Sequence, residues 1–236
     1  FGVKNHAEFI LDNNMAKTPD KVYDLLLKVW KAALPVAKAE VADMQAIITK
    51  EGGDYKLEPW DWWYYAEKVK IEKYALNEND IMPYFEVNNV RDGIFKLAGK
   101  LWGLQFKPRN DIEVYHPDVK PFEVLDADGS HIGILYTDYY VRSSKRAGAW
   151  MSSYRKQQRI NGEMVTPIIT NVCNFPPPSA DMPSLLTWDN VTTMFHEFGH
   201  ALHGLLSECD YYTLSGTAVP RDFVELPSQI MENWAG

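Results

Sequence analysis

The sequence predicts a mainly α protein with a small antiparallel β-sheet in mid-chain. Apolar residues recur at helical spacing through the first hundred residues, the pattern then turns to short alternating or β-branched runs as far as residue 175, and helical spacing returns after the "PPPSADMP" loop. With 236 residues, 46% of them hydrophobic, the chain can bury a real core as one large domain or two small ones.

The first helix is read from Ala7 to Met15. The second runs from Pro19 through about Lys50, with Thr18 as N-cap and Pro19 at the first helical position. Pro35 should kink or split it, because proline has no N–H to give and its ring crowds the preceding turn. A third helix is expected from Glu58 to Leu76 ("PWDWWYYAEKVKIEKY") and a fourth from about Val90 to Trp102. Trp62, Trp63, Tyr64 and Tyr65 could form a ligand platform, but their place in a helical pattern favours core packing. Residues 1–105 thus read as a helical region. Residues 106–236 read as a small sheet followed by site-bearing helices. The strands are expected in "DIEVYHP", "FEVLDADGSHIGILYTDYYV" and "PIITNVCNF", with Asp128-Gly129 as a hairpin turn.

Composition excludes several classes of function. A net charge of −8, from 24 basic and 32 acidic residues, argues against a sequence-independent grip on nucleic acid or on an anionic membrane surface. Cys173 and Cys209 are too few for a disulfide scaffold and lack CxxC spacing, so both read as free thiols. No apolar run is long enough to span a bilayer, and "FGVKNHAEF" has neither an initiating Met nor a signal-peptide core. The end, "RDFVELPSQIMENWAG", is still at helical spacing with no stop signal. The chain is therefore expected to be an internal piece of a longer protein, cytoplasmic, with the periplasm as the alternative.

The chemistry concentrates in "TTMFHEFGHALHGLLSE", Thr192 to Glu208, which holds three of the six histidines. Its helix should begin near Thr187, with Asp189 in the first turn, and continue to Leu206. His196 and His200, four apart, then stack on one face with Glu197 beside them. This is HExxH, in which two neutral imidazoles bind zinc and the carboxylate serves a water. Chance produces such a match in roughly one sequence in a hundred. Gly199 weighs against chance: mid-helix glycine costs about 1 kcal/mol relative to alanine, a cost easier to understand where something must approach closely. The sequon Asn190-Val191-Thr192 falls on the same helix and reads as coincidence.

A catalytic zinc needs a third protein ligand. His203 tilts around the helix, and the HExxHxxGxxH class would require glycine at 203 and histidine at 206, where this chain has His203 and Leu206. The remaining solution is a carboxylate on a following helix. "PRDFVELPSQIMENW" offers Asp222, Glu225 and Glu232; with a helix starting at Pro220, Glu225, Gln229 and Glu232 share one face, and spacing does not choose between Glu225 and Glu232.

"FHEFGHALHGLLS" and "TLSGTAVPRDFVELPSQIMENW" closely resemble the thimet oligopeptidase, oligopeptidase A and peptidyl-dipeptidase family of zinc metallopeptidases. The resemblance continues through "NHAEFILDNNMAKTP", "PWDWWYYAEK", "VYHPDVKPFEV" and "RAGAWMSSY", and so covers essentially the whole chain. "NVCNF", "TLSGT" and "PRDFVELPSQI" look most like the bacterial peptidyl-dipeptidase branch, which releases C-terminal dipeptides. The resemblance implies a zincin-like (gluzincin) fold, incomplete here, and makes Glu225, in "DFVE", the third zinc ligand. It implies one zinc ion held by His196, His200 and Glu225, with Glu197 as general base and short peptides as substrates. It further implies a sheet edge that holds peptide at Gly148, Ala149, Trp150 and Met151; the plainer reading of these residues is a small-residue loop with a buried Trp150. The family's oxyanion-stabilising tyrosines and histidines would lie in a missing C-terminal part, leaving the isolated chain inactive. An oligopeptidase-type endopeptidase and a non-catalytic metal- or peptide-binding fragment are the alternatives.

Overall fold

Helix α1 (His6–Leu11) is the first element, capped by the Asn5 side chain, which accepts from the Glu8 N–H at 3.0 Å. The computed structural model describes residues 2–235, in two compact units, one running up to Asp80 and the other from Ile81 onward. In the first unit, α2 (Pro19–Lys50) starts as expected at the Thr18 cap and Pro19. Pro35 does not split it: all 32 residues form one α-helix, the proline removing a single donor from the ladder.

Helix α3 (Trp62–Tyr74) follows a short 3₁₀ turn, Pro59–Asp61, and the brief α4 (Glu78–Ile81) comes after it. Met44, Ile47 and Ile48 of α2 and Tyr65 of α3 form the buried cluster of this unit, with Trp62 packed against it. The expectation that the whole aromatic run is core is corrected, because Trp63 is 83% and Tyr64 61% exposed. Four consecutive helical residues sweep around the whole helix, so they cannot all face one partner.

The second unit begins with α5 (Val87–Trp102), capped by the Glu86 carboxylate at the Asn88 and Asn89 N–H groups and closed by left-handed Gly103. Seven strands follow: β1 (Gln105–Pro108), β2 (Lys120–Leu125), β3 (His131–Tyr140), β4 (Trp150–Arg155), β5 (Gln158–Ile160), β6 (Glu163–Val165) and β7 (Ile168–Phe175). Strands β5 and β6 form a separate hairpin; the others make one sheet in the order β1-β2-β3-β7-β4. Asp128-Gly129 lies in the turn between β2 and β3, Gly129 at φ 86°.

The antiparallel expectation is corrected here. Strands β3 and β7 run parallel, Tyr136 beside Thr170, while β4 pairs antiparallel with the far side of β7. The long connection after β3 allows this, since it crosses the sheet before β7 returns in the direction of β3. "DIEVYHP" is not a strand either; β1 takes its place beside β2, Phe106 opposite Val124. With seven helices and seven strands described, the protein is mixed α and β, and the sheet is mixed, where a mainly α protein with an antiparallel sheet was expected.

Helices α6 (Trp188–Leu205) and α7 (Glu225–Glu232) complete the unit. Its core gathers Ile94 of α5, Val124, Leu135 and Ile169 of the sheet, Met194, Phe198, Leu202 and Leu205 of α6, and Met231 of α7. Two glycines set the depth of α6. A Cβ on Gly204 would come 2.5 Å from Met151 Cε and 2.8 Å from Ile169 Cδ1 of the sheet; one on Gly199 would come 2.6 Å from Ser228 Cα of α7.

Candidate metal and catalytic centre

Helix α6 starts with a reciprocal cap: Thr187 Oγ1 accepts from the Asn190 N–H at 3.2 Å, and Asn190 Oδ1 accepts from the Thr187 N–H at 3.4 Å. The sequon asparagine is thus engaged in holding the helix start. Two turns on, the His196 and His200 rings lie 4.8 Å apart at 85°.

Glu225 is the first residue of α7. The expected helix start at Pro220 gives way to hydrogen-bonded turns over residues 220–224, so the helix is shorter and carries Glu225 in its first turn, where the dipole favours an anion. Its Oε2 lies 3.2 Å from His196 Nε2 and 3.0 Å from His200 Nε2. Among the described residues these three form the one group of His, Cys, Asp or Glu side chains with donor atoms that converge, all within 4.8 Å of one another. Ser228, one turn along, donates to Glu225 Oε2 at 3.0 Å and holds the carboxylate in place.

Glu232 faces the other side of the same ring. Its Oε1 is 2.6 Å from His196 Nδ1. A proton on Nδ1 shared with this carboxylate leaves the Nε2 lone pair free and fixes the plane of the ring. Glu225 and Glu232, indistinguishable by spacing, therefore occupy opposite nitrogens of His196.

The charge states suit a metal cluster. Burial lowers the pKa of His200, favouring the neutral imidazole. Burial opposes ionisation of Glu225, but the Ser228 hydroxyl and the two histidines outweigh it and keep the carboxyl ionised. Two imidazole nitrogens and one carboxylate oxygen, converging as they do, fit a divalent ion such as zinc.

Glu197 stands apart from the donors. It is 6% exposed, its Oε2 has no partner among the described residues, and burial pushes its pKa up to about 7. Its backbone carbonyl accepts from Asn171 Nδ2 of β7 at 2.7 Å, which ties this turn of α6 to the sheet. His203 is not brought to the cluster; its ring packs at 6.3 Å from Phe223.

Of the four residues expected to meet peptide, Trp150 and Met151 begin β4, the outer strand, pairing with Val172 and Asn171 of β7. Gly148 holds φ 94°, a conformation that favours glycine. Ala149 lines a cleft together with Asp189, Thr192, His196, Glu197 and Glu232. Trp150 is only half-buried, with the Arg146 guanidinium 4.6 Å over its ring. Sequence reasoning missed the parts of Ser228, Asn171 and Glu232. Only Glu232 left a signal, its seven-residue spacing from Glu225.

Known proteins place this arrangement in a family. The chain is 46% identical over 235 residues to a dipeptidyl carboxypeptidase of Escherichia coli, covering 99% of this chain and 34% of that protein. It is 40% identical to oligopeptidase A of the same organism, with 99% and 35% covered. A mitochondrial intermediate peptidase of Neurospora crassa is 29% identical over 280 residues, with 99% of this chain and 35% of that protein covered. The chain thus spans about a third of the length of the curated relatives it matches. The model of peptidase family M3 matches residues 1–236, and the chain accordingly belongs to peptidase family M3.

Proposed function

We propose that this chain is the metal-binding part of a zinc-dependent peptidase that hydrolyses short peptides and releases dipeptides from their C-termini. The observation that carries this reading is the convergence of His196, His200 and Glu225 beside a buried, unpartnered Glu197 carboxylate. The names of the relatives support peptide hydrolysis, and the higher identity to the dipeptidyl carboxypeptidase favours dipeptide release over internal cleavage. The acidic net charge fits small peptides better than nucleic acid.

When bound by His196, His200 and Glu225, zinc would supply Lewis acidity that polarises a peptide carbonyl and eases deprotonation of water. The remaining steps belong to the protein. Glu197 accepts a proton from the attacking water and returns it to the departing amine, a pair of duties suited to a carboxyl whose pKa is pushed up to about 7. Glu232 holds the His196 ring, Ser228 holds Glu225, and Asn171 holds the Glu197 turn, so that all three reactive side chains keep their places. The outer edge of β4, entered through Gly148 and Ala149, offers Trp150 and Met151 for backbone pairing with an extended peptide.

The experiment is product analysis by mass spectrometry, with a short N-terminally blocked peptide and the full-length protein, before and after chelation and zinc return. Chelator-sensitive release of a C-terminal dipeptide supports the proposal. Internal cleavage would shift it to the oligopeptidase reading, and cleavage indifferent to chelator would remove zinc from it.

A further inference from the structure

Lys145 is a buried cation that the proposed chemistry does not use. Its side chain is 4% exposed, although it lies in the turn between β3 and β4. Its ammonium donates to the backbone carbonyls of Asp138 at 3.0 Å, Tyr140 at 2.8 Å and Cys173, and it pairs with Asp138 Oδ1 at 3.2 Å. Three N–H groups thus serve four oxygens, drawn from the end of β3 and from β7. Asp138, 1% exposed, has other partners besides Lys145: Arg142 grips it with two hydrogen bonds at 2.6 and 2.7 Å and Tyr115 donates at 2.9 Å. A lysine that shares one carboxylate with Arg142 and also holds three backbone carbonyls is placed to fix backbone.

Through these bonds the turn that carries Lys145, and that runs on into β4, is tied to β3 and β7. Further along the turn, Asn174 Nδ2 donates to the carbonyls of Arg146 at 2.9 Å and Gly148 at 2.7 Å. The turn is therefore held from β7 at Lys145 and again just after it, and β4 starts two residues after Gly148. Register carries the constraint onward: Met151 pairs with Asn171, and Asn171 is the residue that holds the Glu197 carbonyl. The entry of the edge strand and the turn bearing the general base hang from the same stretch of β7.

We infer that Lys145, with Asn174, is a positioning residue that fixes the start of β4, and thereby sets the peptide-binding edge in line with His196 and Glu197. This rests on the proposal that β4 receives the peptide.

The test compares wild type, Lys145→Met and Asn174→Ala in the full-length protein by hydrogen exchange and by steady-state kinetics with a short peptide. Exchange in residues 150–155 should rise about tenfold in Lys145→Met, the size that follows from losing a charge-assisted hydrogen bond, with residues 188–205 unchanged. KM should rise by about the same factor, with kcat and zinc content little altered. Asn174→Ala should move both in the same direction by less, and it carries the comparison should Lys145→Met fail to fold. Unchanged exchange in β4 overturns the inference, as does faster exchange with an unmoved KM. A wild-type protein that cleaves no peptide defeats the functional reading alone, and the exchange data then decide the clamp.

Discussion

Gly199 meets Ser228 so closely that a single added carbon has nowhere to go: a Cβ at position 199 would lie 2.6 Å from Ser228 Cα and 2.7 Å from the Pro227 carbonyl. Both neighbours are backbone of α7, the helix that presents Glu225. The mid-helix glycine, which the sequence connected with close approach at the site, admits the neighbouring helix and so brings the carboxylate to the two imidazoles.

Gly199→Ala should therefore lose stability even though alanine is the better helix former by about 1 kcal/mol. The overpacking penalty of about 1–3 kcal/mol exceeds that gain, and a displaced α7 should also weaken zinc binding. Denaturant unfolding and zinc titration of the variant check both. A variant more stable than wild type with undiminished affinity would show that α7 has slack that the packing denies.

Glu232→Ala should lower zinc affinity by about 10–100-fold, the usual effect of removing the carboxylate behind a ligating histidine. Glu232→Gln, which keeps an acceptor but not the charge, should fall between. Competition titration against a chelator of known affinity measures it. Equal affinities for all three would make the 2.6 Å contact to His196 Nδ1 incidental.

Much of this was legible in sequence, for reasons that are local. Thr18 and Thr187 announce helices because their side chains cap them, and the spacing of His196 and His200 on a helix leaves little freedom in where the rings go. What could not be read depends on partners. The apolar patterns of β3 and β7 report which side chains are buried but not the direction in which the strands pair, hence the parallel pair in a sheet expected to be antiparallel. Trp63 and Tyr64 look like core in composition, yet adjacent helical positions diverge. Glu225 and Glu232 share a helical face, but α7 passes His196 so that one reaches Nε2 and the other Nδ1.

Asp138 should give the protein an acid-sensitive element away from the metal cluster. Burial opposes its charge, yet the hydrogen bonds from Arg142 and Tyr115 and the charge of Lys145 outweigh it and hold the carboxyl below the usual carboxylate range. A carboxyl depressed in the folded state stabilises the fold above its unfolded pKa of about 3.9 and loses that contribution as pH falls through the lower, folded value. Asp138→Asn should thus be less stable than wild type near neutral pH by about 3–5 kcal/mol, the cost of stranding its buried cationic partners. The gap should narrow as pH drops below about 4. Urea midpoints from pH 7 to acid, compared between the two proteins, follow this directly; a constant gap would mean that Asp138 acts by shape and not by charge.

The central claim is that Glu197 moves the proton while His196, His200 and Glu225 hold the metal, and one substitution separates the two tasks. Glu197→Gln in the full-length protein, assayed in the same samples for zinc per chain and for kcat on a short peptide, should keep one zinc and lose about 10²–10⁴-fold in turnover. Turnover close to wild type, or loss of zinc along with activity, would contradict the assignment.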